Sequence, residues 1–87
     1  MNEAPRVIDG AVVMEWAWSD QPFGVVGTIH IHGLAICHYS DNSQIYRFSC
    51  NEHWETEQDA DYDSVEDAKL YLPDQYRNAP INWRKIV

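Results

Sequence analysis

The chain has 87 residues, of which 45% are hydrophobic and 13% aromatic, enough for one compact domain spanning 1–87 and too few for two. Its net charge of −8 comes from 14 acidic and 6 basic residues, and eight of the acids lie between Glu52 and Asp67 with no Lys or Arg among them. A field of this sign repels phosphate backbones and anionic lipid, which excludes direct nucleic-acid or membrane binding and favours a basic protein partner. Two cysteines, Cys37 and Cys50, are too few for a disulfide-built secreted domain. The first residues resemble no secretory signal, and no run approaches the roughly 20 apolar residues of a membrane span. The expectation is a cytoplasmic protein.

The first element runs from Val7 to Ser19. Val12, Met14, Trp16 and Trp18 fall at alternate positions, which predicts a strand with one strongly apolar face. The turn formers Ser19, Asp20, Gln21 and Pro22 then reverse the chain. A second strand is predicted from Gly24 to Tyr39 and a third from Gln44 to Trp54, both rich in β-branched or aromatic residues.

If Asp41 and Asn42 form a two-residue loop, residue i of the second strand faces residue 83 − i of the third. This register collects Ile29, Ile31, Ala35, Cys37 and Tyr39 with Tyr46, Phe48 and Cys50 on one core face. The opposite face, with His30, His32, Leu34, Ile36 and His38 across from His53, Asn51, Ser49, Arg47 and Ile45, is mixed. A slip of one residue would scramble the two sets. Trp16 and Trp18 are expected on the core face beside Ile29 and Ile31. The mixed face, which a single short helix leaves uncovered, is then the place for a homodimer or partner contact.

Ser64 is a natural N-cap for a helix carrying Glu66 and Asp67 in its first turn, with Val65, Ala68 and Leu72 as its apolar stripe and Pro73 as its stop. Ile81 to Ile86 alternates as an edge strand, its place in the sheet left open. The fold class is therefore α+β: a three-stranded antiparallel meander, one short helix packed on one face, and a C-terminal edge strand.

The acidic window is the leading functional signal. Glu55, Glu57, Asp59, Asp61 and Asp63 are all odd-numbered, so an extended segment lines them along one side about 6.6–6.8 Å apart. Such a row suits docking to a cationic surface, with Trp54 and Tyr62 as neighbouring anchors. A solvated acidic loop is the plain alternative. Asp59, Asp61 and Asp63 also reproduce the first three ligands of a calcium loop, but the sixth and twelfth positions are Ser64 and Leu70 instead of Gly and Glu.

His30, His32 and His53 share the mixed face and supply the nitrogen donors that zinc asks for at about 2.0–2.3 Å. Cys37 and Cys50 project to the other face and lie about 13 Å apart along the strands, too far for a disulfide. Cys37 and His38 are strand neighbours and point apart, so they cannot act as nucleophile and base. With no phosphate loop, nucleophile elbow or HExxH present, no enzyme and no cofactor is expected. The functional expectation is a small acidic inhibitor or immunity-type protein. A zinc-binding domain and a self-associating domain without ligand are the alternatives.

Overall fold

A computed structural model of the chain describes residues 2–76 and 78–86. It is 44% strand and 7% helix, a curled antiparallel half-barrel. The expected α+β meander of three strands under one helix is thereby corrected to a mostly β fold with one short helix. The strands are β1 (Val7–Ile8), β2 (Ala11–Trp18), β3 (Gly24–Val26), β4 (Ile29–Ile31), β5 (Gly33–His38), β6 (Ile45–Cys50) and β7 (Thr56–Tyr62). The helix α1 (Val65–Leu70) and a last strand β8 (Arg84–Lys85) follow. The main sheet runs β1-β2-β5-β6-β7, with β8 also pairing β2, and β3 and β4 form a separate two-stranded ribbon.

The extra strands arise where local turn chemistry cuts the long apolar runs. Asp9 and Gly10 both have positive φ, so this dipeptide closes a tight hairpin between Ile8 and Ala11 and splits the first run into β1 and β2. Gly27, at φ 62°, opens the loop between Val26 and Ile29 and divides the second run into β3, β4 and β5. The loop between β5 and β6 is longer than expected, because pairing stops at His38 and Ile45 and neither Asp41 nor Asn42 has positive φ. Instead the Asn42 side chain accepts a hydrogen bond from the Gln44 N–H at 2.9 Å.

Between β5 and β6 the pairing follows the expected rule throughout, from Gly33 opposite Cys50 to His38 opposite Ile45. Ala35, Cys37, Phe48 and Cys50 therefore share a buried face, joined by Ile8, Ala11, Val13, Trp16 and Trp54. Strand β2 reaches this face differently from its alternating pattern. The register jumps between Val13 and Glu15, so Met14 is an inserted residue, and Ala11 and Val13 point inward before the bulge while Trp16 does so after it. Val12, expected in the core, is 43% exposed.

The opposite face is a second core. Ala17, Phe23, Ile31 and Leu34 pack with Tyr76 and Ala79, flanked by Leu72, Ile81 and Trp83. The β3–β4 ribbon folds over one end of this face, tied down by hydrogen bonds from the Ser19 N–H to the His32 carbonyl and from the Phe23 N–H to the Ile31 carbonyl. The irregular chain after α1 covers the rest. The mixed face foreseen as a dimer or partner contact is thus closed by the chain itself, and Leu34 and Ile36 have no exposure. Ile31 also belongs here and not with Cys37 and Phe48, since β4 pairs β3 instead of extending β5.

Helix α1 starts as expected, with the Ser64 side chain accepting from the Asp67 N–H at 3.1 Å. Its other end is held by Arg47. The guanidinium of this residue, only 4% exposed, donates from Nη1 to the carbonyls of Ala68 and Tyr71, both at 3.0 Å, and lies 5.0 Å from the centre of the Tyr62 ring. The C-terminal strand settles beside β2, with Glu15 opposite Lys85 and Trp16 opposite Arg84. One Trp restricts a neighbouring glycine: a Cβ on Gly33 would meet the Trp54 ring at 2.7 Å. Gly33→Ala is expected to lower stability by about 1–3 kcal/mol, read as a shift of the denaturant midpoint with unchanged slope. A midpoint equal to wild type would show that the indole moves aside freely.

Candidate binding surface

Strand β7 is the outermost strand of the main sheet, paired on one side only, to β6. Its two faces differ in exposure. Ala60 and Tyr62 stand opposite Arg47 and Ile45 and are half-buried, whereas Asp59 and Asp61 stand opposite Phe48 and Tyr46 and are exposed. Charged side chains are the usual furnishing of an edge strand, where they discourage indiscriminate pairing with other chains.

The expected row of five carboxylates is altered by the pairing. Only Glu57, Asp59 and Asp61 lie in the strand; Glu55 precedes it and Asp63 follows it. The register shifts at the Ser49 and Cys50 pairs, so that Thr56 faces Cys50 and Gln58 faces Ser49, leaving Glu57 as an inserted residue. Glu55 and Glu57 are both gathered by Asn51, whose Nδ2 donates to Glu55 Oε1 at 3.0 Å and to Glu57 Oε2 at 2.9 Å. The even spacing that a regular strand would give all five is therefore restricted to Asp59 and Asp61. All five remain exposed, and among the described residues no Lys or Arg lies within ion-pair distance of any of them.

Neither aromatic neighbour faces outward as an anchor. Trp54 is 9% exposed, with its ring edge-on to Trp16 at 6.2 Å and tilted against Trp18 at 5.7 Å. Its φ of 61° lets the backbone turn from β6 into the acidic segment while the indole drops into the core. Tyr62 is half-buried beneath Arg47, and its hydroxyl donates to the Tyr71 carbonyl at 3.2 Å. Packing needs took both rings.

His30, His32 and His53 do come together, lining a cavity of about 380 Å³ with Thr28, Asn51 and Glu52. The route differs from the expected facing of His30 and His53, because β4 turns away to pair β3 and places His30 opposite Val25. His32 is used structurally: its Nδ1 lies 2.9 Å from the Ser19 carbonyl, so this nitrogen carries the proton, and its ring stacks on Trp18 at 5.5 Å. Among the described residues no group of three or more His, Cys, Asp or Glu side chains could hold a metal ion. Neither the three histidines nor Asp59, Asp61 and Asp63 form such a group.

Comparison with known proteins finds no matching family model, curated sequence or solved structure. The geometry of the site is what speaks.

Cys37 and Cys50 are free and buried, opposite Tyr46 and Gly33 as the register requires. Burial pushes each thiol up to about 12. Burial that disfavours the thiolate slows the reaction of either thiol with an electrophile in the folded chain. Alkylation with iodoacetamide is expected to be negligible on the native protein and complete in denaturant. Between about pH 9 and 12 the unfolded chain ionises its thiols while the folded chain holds them neutral, so stability falls as pH rises through that window. Rapid native labelling at pH 8 would contradict the burial of both side chains.

Proposed function

We propose that this chain is a small non-enzymatic binding protein that docks a basic protein partner along β7. The reading is supported by one observation above the others: an open edge strand carries exposed Glu57, Asp59 and Asp61 with no cation of its own neutralising them among the described residues. An edge strand offers unpaired backbone groups to an added strand, and the carboxylates select that strand's charge. A partner segment with Lys or Arg at alternate positions matches Asp59 and Asp61, while acidic segments are repelled. An inhibitor or immunity-type role fits such a surface, since complementary charge accelerates association and suppresses wrong partners. Among the described residues no helix is long and apolar enough to cross a membrane. A cytoplasmic setting accords with two unpaired thiols.

The test uses an acetylated, amidated peptide of alternating Lys and Val. It is expected to shift the amide resonances of 56–62 in a ¹⁵N spectrum, with weakening as salt is added. Shifts spread evenly over the molecule, or centred elsewhere, would sink the proposal.

A further inference from the structure

Asn51 stands between the histidine cavity and the acidic strand. On one side it lines the cavity of about 380 Å³ with His30, His32, His53 and Glu52; on the other its Nδ2 holds Glu55 and Glu57, the second of which belongs to β7. Its Oδ1 is engaged as well, accepting from the His53 N–H at 2.8 Å and the Glu55 N–H at 3.1 Å. One side chain thus fixes the turn that carries His53 against the start of the docking strand. The wall formed by His32 is equally fixed. Its N–H donates to the Cys50 carbonyl at 3.0 Å, its Nδ1 meets the Ser19 carbonyl, and its ring stacks on Trp18 and on His30, with the His30 ring centre 6.4 Å away.

Three of the four histidines of the chain meet in this cavity. Imidazole changes its charge between about pH 5 and 8, so mild acid places up to three cations here. The charged groups that face them are acidic. Glu52 lies 3.7 Å from His53, Glu55 and Glu57 are held by Asn51, and Asp20 accepts from the Trp18 indole on which His32 stacks. Among the described residues no Lys or Arg lines the cavity. At neutral pH this end of β7 is therefore negative, and the field attracts a Lys or Arg of a partner. Protonated imidazoles beside Glu55 and Glu57 offset that field and repel the same partner.

We infer that proton uptake by His30, His32 and His53 weakens the docking of a basic strand on β7, so that a partner is held more tightly at neutral pH than in mild acid. The inference rests on the β7 reading and adds the regulation of that site. Linkage makes the coupling reciprocal: a cationic strand on β7 opposes proton uptake by the same imidazoles. The test titrates the full chain with the acetylated, amidated Lys/Val peptide at pH 7.5 and 5.5, in about 10 mM salt, where the screening length is about 30 Å. The peptide keeps its charge between these values, and ordinary carboxyl groups titrate lower, near about pH 4. The dissociation constant is expected to rise about fivefold from pH 7.5 to 5.5. The double variant His30→Gln/His53→Gln alters two exposed side chains and spares the structural His32; its rise is expected to be less than half that of wild type. His38→Gln, outside the cavity, is expected to keep most of it. Unchanged β5 and β6 resonances confirm the fold of each variant. Bound peptide is expected to move the imidazole titrations of His30 and His53 to lower pH. No binding at pH 7.5 sinks the β7 reading and this inference together. With binding at pH 7.5 in place, four results overturn this inference alone: equal affinity at pH 5.5, a double variant with the full rise, a His38→Gln chain that loses as much of it as the double variant, or imidazole titrations that the peptide does not move.

Discussion

Combining Glu57→Gln, Asp59→Asn and Asp61→Asn will leave the fold intact and lower the association rate for a basic strand by about 10- to 100-fold at low salt. The three side chains are exposed on an edge strand, and their removal deletes no hydrogen bond within the sheet. One side-chain contact, from Asn51 to Glu57, is preserved in kind because a glutamine oxygen still accepts. Charge is therefore the variable that changes. The gap between variant and wild type should close as ionic strength approaches 1 M, where the screening length is about 3 Å. Stopped-flow mixing with the Lys/Val peptide measures both effects. Equal rates at low salt would mean that the carboxylates serve only to keep the edge from pairing with other chains, the ordinary task of charge on an exposed strand.

The second large effect concerns Arg47. Replacing it with Met keeps most of the volume but removes the donor that holds the Ala68 and Tyr71 carbonyls and the cation above Tyr62. The Ala68 carbonyl loses this donor at about 1–3 kcal/mol, whereas the Tyr71 carbonyl keeps the Tyr62 hydroxyl, so a total loss of roughly 2–3 kcal/mol is expected after allowing for the buried Nε, which has no partner in the native fold. For a domain of this size that corresponds to a fall in melting temperature of roughly 10–25 °C. Arg47→Lys should recover less than half, because an ammonium cannot bond two carbonyls while lying flat on a ring. Thermal melts of the three chains decide it. A Met variant as stable as wild type would show that α1 is held by apolar packing of Ala68 alone.

Much of this molecule was readable residue by residue. The β5–β6 register, the Ser64 cap and the exposure of the acidic segment followed from alternation, side-chain chemistry and charge, all local properties of the chain. The hairpin at Asp9 and Gly10 was equally legible, since an Asp-Gly pair between apolar runs demands positive φ, but the alternation of Val12, Met14, Trp16 and Trp18 masked it as one unbroken strand. Periodicity cannot reveal an inserted residue. The bulge at Met14 changes which residues of β2 face inward, and it exists because tryptophans at 16 and 18 and small residues at 11 and 13 fill the same core only if one position is skipped.

Sequence alone determined that the carboxylates are concentrated and that both thiols are unpaired, because charge and strand alternation are properties of neighbouring residues. Tertiary structure alone decided the rest. It closed the mixed face with chain that has no periodic signature, drew Trp54 and Tyr62 into packing, brought three histidines to one cavity, and joined residues near both ends around Trp16. These outcomes depend on which surfaces compete for burial, and that competition is settled between segments far apart in the chain.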